Sequence, residues 1–283
     1  MPQVIRTCAL LIVMFFAVAV CAQDLDTMLL EAQTAASPEQ KQEALEALMR
    51  AAQTGDPAAQ FNLGTAYNVG MGEKNDAEAV RWYRMAAEQG HVEAQYNLGV
   101  MYIKGRGVAK NNEEALKWFM KAAENRHADS LFNIGVMHDN GMGVPQSDAE
   151  AFKWFMKAAE NGQVNGQLIV GMMLESGKGA TQNFEEAVKW YRTAAEKGFP
   201  EAQYNLGVMY FEGRGVKQSY AEAANLFQKA AERRITDAQF NLGVMYEKGL
   251  GVEKNEKEAL KWYQMAADQE DAEAIKAIES MRK

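Results

Sequence analysis

The stretch Gln95–Tyr102 reads QYNLGVMY, and related stretches recur along the chain. The other copies are QFNLGTAY at Gln60, LFNIGVMH at Leu131, QLIVGMML at Gln167, QYNLGVMY at Gln203 and QFNLGVMY at Gln239. Their central glycines are Gly64, Gly99, Gly135, Gly171, Gly207 and Gly243, so the interval is 35 residues once and 36 residues four times. A repeat with this period is the sequence signature of stacked structural units.

Each copy is followed by a second apolar segment. In the second repeat this segment carries Ala115, Trp118, Phe119, Ala122 and Ala123. Spacings of three, four, seven and eight residues form one face of an α-helix, and the first segment shows the same period. The small Gly99 and Ala115 allow the paired helices to approach closely, while Tyr102 and Trp118 fill the space beside them. Two helices per repeat are therefore predicted.

Two glycines separated by one residue follow the first segment of every repeat. The pairs are Gly70/Gly72, Gly105/Gly107, Gly141/Gly143, Gly177/Gly179, Gly213/Gly215 and Gly249/Gly251. Glycine-rich turns before helices do bind phosphate, but no strand pattern precedes these turns and no GK[ST] follows them. We therefore interpret each pair as the left-handed stop of one helix and a tight turn to the next.

The first 22 residues differ from everything that follows. One cation, Arg6, precedes an apolar run from Cys8 to Cys21, and small residues end the run at Ala22. This pattern is typical of a secretory signal peptide cut after Ala22, which predicts a periplasmic or secreted protein. A retained anchor is the weaker alternative, because a spanning helix needs roughly 20 apolar residues. Lipid attachment at Cys21 is disfavoured because Val20, rather than a smaller residue, precedes the cysteine.

Removal of this segment changes the composition. Both cysteines are lost, so the mature chain has no thiol, disulfide or cysteine-based metal site. Loss of Arg6 leaves 29 basic and 38 acidic residues, a formal charge of −9. An acidic chain repels phosphate backbones and anionic lipid, so we expect neither nucleic acid nor stable membrane insertion.

Reduced repeats are predicted at both ends of the array. One more period after Gly243 reaches Glu279, where polar residues replace the motif, and Ala47 stands where the first repeat has Trp82. The sequence therefore predicts an all-α fold, a right-handed α-solenoid of stacked antiparallel helix pairs. Its predicted parts are a signal peptide at 1–22, N-terminal capping helices at 23–55, six repeats at 56–270 and a C-terminal capping helix at 271–283.

The repeat pattern resembles a known family. Its consensus is A-x-x-x-L-G-x-x-Y, then G-x-G-V, then A-x-x-W-[FY]-x-x-A-A-x-x-G, which closely resembles the Sel-one-like repeat, a relative of the tetratricopeptide repeat. The resemblance covers about Asp56 to Asp268. The fourth repeat departs from it at Leu168, Ile169 and Leu174, and the fifth has Leu226 in place of tryptophan. Cysteine-rich relatives described as β-lactamase-like carry disulfides that this chain lacks, so their activity is not carried over.

Two ladders of equivalent residues run through the first helices. The aromatic or apolar positions are Phe61, Tyr96, Phe132, Leu168, Tyr204 and Phe240, and the amides are Asn62, Asn97, Asn133, Asn205 and Asn241, with Ile169 in the fourth repeat. In tetratricopeptide relatives the first helices line a concave surface, and Asn at the matching place hydrogen-bonds an extended peptide. The resemblance therefore implies a peptide clamp. A carboxamide suits this role because it both donates and accepts. Alternatively, each Asn bonds a neighbouring helix.

Charged and apolar residues near the ladders suggest what a ligand would contain. The acids are Glu93, Asp129, Glu201, Asp237 and Glu247, with Lys104 and Lys248 among them. A groove with aromatic walls and acidic rims would suit a basic or neutral peptide, although such charges usually serve solubility. The run Leu168, Ile169 and Met172 forms an apolar patch that would serve as an anchor pocket, or that reflects poorer packing in a divergent repeat.

No catalytic or metal site is predicted. His91 and His127 occupy equivalent loop positions and His138 replaces a core tyrosine, so they do not form a metal cluster. Methionines recur in register as core residues. Lys-Thr-Gly, Gly-x-Ser-x-Gly and His-Glu-x-x-His are absent, and no cofactor is expected.

The predicted function is therefore binding of a protein or extended peptide by an exported, monomeric, non-enzymatic adaptor. The sequence does not separate an adaptor for the cell's own envelope from a virulence-type factor that engages a host protein. A hydrolase like the cysteine-rich relatives is the less favoured alternative.

Overall fold

The computed structural model describes residues 38–71 and 74–282, and these ranges contain fourteen α-helices and no strand. The helices are α1 (Pro38–Gln53), α2 (Pro57–Val69), α3 (Asp76–Glu88), α4 (Val92–Lys104), α5 (Asn112–Glu124), α6 (Ala128–Asn140), α7 (Asp148–Glu160), α8 (Val164–Ser176), α9 (Phe184–Glu196), α10 (Pro200–Glu212), α11 (Tyr220–Glu232), α12 (Thr236–Lys248), α13 (Glu256–Ala267) and α14 (Ala272–Met281). Repeats 1 to 6 consist of a first helix (α2, α4, α6, α8, α10, α12) and the second helix that follows it. The predicted all-α repeat fold is confirmed. The predicted signal peptide and the capping residues 23–37 lie outside the described residues.

The helices are divided between two compact units. Unit 1 extends to Ser130 and includes Met142–Val144, and unit 2 contains Leu131–Gly141 and the residues from Pro145 onward. In unit 1, neighbouring helices in the series from α1 to α5 pack against each other. In unit 2, the same holds for the series from α7 to α14. Helix α6 packs against α7 in unit 2, where the rings of Phe132 and Phe155 are 5.4 Å apart.

A glycine beneath an aromatic ring joins the two helices of each repeat. A Cβ atom added to Gly99 would lie 2.6 Å from the ring of Phe119, and the other central glycines meet the equivalent ring at 2.5 to 2.8 Å. The other rings are Tyr83, Phe155, Tyr191, Phe227 and Tyr263. Close approach of the helices therefore depends on the missing side chain, as predicted, and the ring over the glycine is the second of the aromatic pair.

The paired glycines end one helix and fix the contact with the preceding repeat. Gly105 is the C-cap of α4, with φ of 65°, and its N–H donates to the carbonyl of Met101. Gly107 has φ of 66°, and an added Cβ would lie 2.0 Å from the carbonyl oxygen of Asp76 at the start of α3. Equivalent contacts join Gly179 to Asp148, Gly215 to Phe184 and Gly251 to Tyr220. The helix stop is thus observed, and the second glycine has the added role of letting two backbones touch.

A buried glutamine, which the sequence analysis did not single out, bonds consecutive repeats. In five of the six repeats the first residue of the motif is Gln, and its Nε2 donates to the second alanine carbonyl of the preceding helix. The pairs are Gln60–Ala52, Gln95–Ala87, Gln167–Ala159, Gln203–Ala195 and Gln239–Ala231. The available signal was the Gln that heads the motif in five repeats, together with an Ala-Ala pair whose second residue lies eight positions before it.

Candidate peptide-binding face

The aromatic ladder is half-buried in both units. Each ring packs against the second-helix ring of its own repeat, with centroids 5.4 to 5.9 Å apart. The pairs are Phe61–Tyr83, Tyr96–Phe119, Phe132–Phe155, Tyr204–Phe227 and Phe240–Tyr263. Leu168 takes this place in repeat 4 and is also half-buried. These side chains contribute to the core and also present one edge at the surface. In each repeat the aromatic or apolar position, the Asn position and the residue three places after the Asn position form one stripe. We call this stripe the ladder face.

The asparagine ladder is not uniform. Asn62 is only 3% exposed, whereas the other four are half-buried. Asn97 is hydrogen-bonded to the hydroxyl of Tyr83 and Asn241 to that of Tyr204, so each bonds the preceding repeat. These two amides match the structural alternative considered above.

The amides of Asn133 and Asn205 meet no hydrogen-bonding partner among the described residues. Both are half-buried, and their carboxamides are therefore available to a ligand. Peptide binding by the ladder remains a prediction, and it applies most directly to these two positions.

Two grooves of unit 2 lie on the ladder face at equivalent places. Each is bounded by the second-helix ring of one repeat and by the Asn position of the next repeat. The first, of about 330 Å³, is lined by Asp139, Phe155, Ile169, Met172, Met173, Ser176 and Lys178, and we call it the apolar groove. The second, of about 180 Å³, is lined by Tyr204, Val208, Phe211, Glu212, Phe227, Asn241 and Val244, and we call it the acidic groove. The ladder residues of unit 2 thus line real concavities.

The charges of three carboxylates act on the hydroxyl of Tyr204 in the acidic groove. Burial raises the pKa of this phenol, and the nearby charges of Asp237, Glu212 and Glu175 raise it further, against the hydrogen bond with Asn241. Glu201 and Asp237 are exposed on the same helices. A cationic group would be attracted to this part of the ladder face.

Two of the acids named from the sequence already contact neighbouring side chains. Glu93 lies 3.2 Å from Nε2 of His127, and Glu247 accepts a 2.6 Å hydrogen bond from the hydroxyl of Tyr263. Lys104 and Lys248 are exposed. Glu212 pairs with Arg214, so the acidic character of unit 2 rests mainly on Glu201 and Asp237.

Cations in the glycine turns bond to the preceding repeat, which the sequence analysis missed. In unit 1, Arg106 pairs with Asp76 at 2.7 Å and bonds Asn68 at 2.9 Å. The hydrogen bond from Arg106 lowers the pKa of Asp76. In unit 2, Lys178 pairs with Asp139 at 2.6 Å and with Asp148 at 3.4 Å.

A similar contact joins repeats 4 and 5. Arg214 bonds Glu175 at 2.9 Å, and the other oxygen of Glu175 accepts a 2.6 Å hydrogen bond from the hydroxyl of Tyr191. In the next junction the corresponding positions are Phe211 and Leu250, which pack against one apolar cluster. The signal in the sequence was an acid or amide followed 38 or 39 residues later by a cation, or two apolar residues at that spacing.

The Tyr191–Glu175 contact gives a pH-dependent prediction. Burial, then the hydrogen bond to Glu175, raises the pKa of Tyr191 far above its ordinary value. The folded chain therefore keeps a proton that the unfolded chain releases above about pH 10, so this contribution to stability is fully present below that pH and falls progressively above it. We expect wild type to exceed Tyr191→Phe in free energy of unfolding by about 1 kcal/mol at pH 8. The difference should shrink by pH 11 in urea titrations, and a constant difference would contradict the assignment.

The histidines have separate local roles. Nδ1 of His91 caps α4 by accepting from the N–H of Ala94, and its ring stacks on Phe61 at 4.6 Å. Nδ1 of His127 caps α6 by accepting a hydrogen bond from the N–H of Ser130. No group of three or more His, Cys, Asp or Glu suited to a metal ion occurs within 38–71 and 74–282. No helix in the same part of the chain is long and apolar enough to cross a membrane.

Comparison with known proteins supports the repeat assignment. The sequence model of the Sel1 repeat matches six consecutive segments, at residues 57–91, 92–127, 128–163, 164–199, 200–234 and 236–271. A protective antigen of uropathogenic Escherichia coli is 33% identical with a TM-score of 0.81, and the match covers 90% of this chain and 58% of that protein. A Sel1 repeat protein from Oxalobacter formigenes is 35% identical with a TM-score of 0.67, covering 84% of this chain and 96% of that protein. No curated protein matches the sequence significantly.

Proposed function

The chain belongs to the Sel1 repeat family, and from this membership and the grooves of unit 2 we propose that it binds an extended segment of a partner protein on its ladder face. Sel1 repeat proteins are generally protein-interaction modules. The observation that carries the proposal is that two grooves open at equivalent places and that the Asn position lines each of them.

The chemistry of the face suits backbone recognition. A half-buried carboxamide offers one acceptor and two donor hydrogens, so Asn205 is able to pair with a peptide group without reading its side chain. The half-buried rings beside it offer apolar contact to the ligand, while the groove walls are already held in place by core packing. Binding therefore needs little rearrangement of the chain.

We also propose that the protein is exported after cleavage at Ala22 and acts as a binding protein rather than an enzyme. The apolar run from Cys8 to Cys21 supports export, and the ladder face consists mainly of amides, rings and aliphatic side chains. Cell fractionation tests the location, because export places the protein in the periplasm or medium with its sequence starting at Gln23. A mature protein that retains residues 1–22 would contradict cleavage.

A second candidate is an exported factor that engages a host protein. One observation favours it: the similar protein of uropathogenic Escherichia coli is described as a protective antigen. The binding chemistry proposed for the ladder face is the same in both cases, and only the source of the partner differs.

The role of the amides is tested by a pair of substitutions in unit 2. Peptides selected by the purified protein from a random display library supply the ligand. Asn205→Ala is expected to weaken binding about fivefold, the value of one hydrogen bond, while changing the free energy of unfolding by less than about 0.5 kcal/mol. Asn241→Ala serves as the comparison, because it also removes the partner of the Tyr204 hydroxyl and should lower stability by about 1 kcal/mol.

Fluorescence anisotropy measures the binding and urea unfolding measures the stability. Unchanged affinity in Asn205→Ala would show that the free amide does not contact the ligand. A large loss of stability in that variant would instead assign the amide a structural role.

A further inference from the structure

Repeat 4 differs from the other repeats along the ladder face and at the buried Leu174, but it keeps two contacts that hold its helices in place. Gln167 still bonds the Ala159 carbonyl at 3.1 Å, and a Cβ on Gly171 would still meet the ring of Tyr191 at 2.5 Å. These two contacts are thus the same as in the other repeats. The apolar substitutions at its surface therefore lie on a helix pair that closes as in the other repeats.

The substitutions remove charge and amide groups from one stripe of α8. Asn165 stands where repeats 2, 3, 5 and 6 carry an acid, Ile169 replaces the ladder Asn, and Met172 replaces Thr or Val. Met172 is 49% exposed, and Ile169 is half-buried against the core. Together with Phe155 and Met173 they line the apolar groove, and the rim charges Asp139 and Lys178 neutralise each other at 2.6 Å. An exposed methionine over an apolar floor offers adaptable contact area to an apolar side chain of a ligand.

Charge defines the chemistry of the ligand further along unit 2. The acidic groove has Glu212 in its wall, where it pairs with Arg214, and the charge of Asp237 acts on the Tyr204 hydroxyl. One face of unit 2 thus offers an uncharged apolar site and, two repeats later, a site of negative potential. Separate residues of one extended ligand would be needed to fill the two grooves.

We propose that the ligand of the ladder face is an extended segment of a partner polypeptide with two anchoring side chains. An unbranched or γ-branched apolar side chain, Met or Leu, inserts between Phe155, Ile169 and Met172. A Lys or Arg of the same segment lies at the acidic groove. This inference rests on the proposed function, because the amides hold the backbone and the grooves choose the side chains. The flexible thioether of Met172 adapts to either apolar side chain.

The test uses peptides selected from the random display library by the wild-type protein. Their consensus should contain one apolar residue and one basic residue at a fixed separation. Changing the apolar residue of the best peptide to Ala should weaken binding to wild type by tenfold or more, as expected for loss of one buried aliphatic side chain. The Ile169→Asn/Met172→Val variant carries the residues found at these positions in other repeats. Its affinities for the best peptide and for the Ala-substituted peptide should differ by less than twofold.

Two further variants serve as controls. Val244→Thr changes the acidic groove to the residue found in repeat 1 and should leave the tenfold preference for the apolar side chain intact. Asp237→Asn should reduce the preference for the basic residue without changing the preference for the apolar one. Circular dichroism and urea unfolding confirm that each variant is folded.

The outcomes separate this inference from the function on which it rests. Selected peptides that bind through Asn205 but have no apolar preference, or that keep it in Ile169→Asn/Met172→Val, would overturn the anchor groove alone. Failure of the wild-type protein to select any peptide would contradict the proposed function and the anchor groove together.

Discussion

Replacing Gly107 by alanine is expected to lower the free energy of unfolding by about 2 to 5 kcal/mol. The new Cβ would lie 2.0 Å from the carbonyl oxygen of Asp76 and 2.7 Å from the amide nitrogen of Ala77, both of which belong to the backbone. No side-chain rotation relieves that contact, so α3 and the glycine turn must separate. Forced separation costs about 1 to 3 kcal/mol, and a further 1 to 2 kcal/mol comes from an L-residue at a positive φ.

Gly90→Ala is the matched control for Gly107→Ala. Gly90 lies in the same unit with φ of 90°, and nothing lies within 4 Å of an added Cβ. It should therefore show only the cost of the backbone conformation, about 1 to 2 kcal/mol. Urea unfolding of both variants separates the two contributions. Equal losses in the two variants would mean that contact with Asp76 is unimportant to stability.

Gly99→Ala should destabilise the protein by about 2 to 3 kcal/mol because its Cβ would overlap the ring of Phe119 at 2.6 Å. The backbone of Gly99 is helical, so the loss comes from crowding alone. Phe119→Leu alone should cost about 1 to 2 kcal/mol through lost packing.

The double variant tests the contact between Gly99 and Phe119 directly. The smaller side chain leaves room for the new methyl group, so the two losses should sum to at least 1 kcal/mol more than the loss in the double variant. Strict additivity would show that Phe119 is not the group that Gly99 accommodates. The measurement is a double-mutant cycle of unfolding free energies in urea.

The period and the helical spacing predicted the helices and their pairing, because those features depend on residues close in sequence. They did not identify Phe119 as the ring over Gly99. Adjacent aromatic residues share a helical face, and only the rotation of the packed helix decides which one meets its partner. Burial of Asn62 could not be predicted from the sequence either, because Asn97 stands in the same motif and is only half-buried.

Contacts between repeats were the least predictable. The bond from Gln95 to the Ala87 carbonyl involves a backbone group that any sequence supplies, and the Arg106–Asp76 pair joins residues 30 positions apart across a repeat boundary. Comparing repeats with one another hides such pairs, because each partner belongs to a different copy. The ladder residues could be aligned from the sequence, but the two grooves could not, since each is formed by two repeats.

The turn contacts also restrict the order in which the repeats of unit 2 can follow one another. Arg214 requires an acceptor such as Glu175 in the repeat before it, whereas Leu250 requires an apolar neighbour such as Phe211. Loss of repeat 4 in evolution would place Arg214 beside Asp139 and keep opposite charges together. Loss of repeat 5 would set Leu250 against Glu175 and leave that carboxylate without its cation. The array is therefore not a string of interchangeable modules, and each copy is adapted to the copy that precedes it.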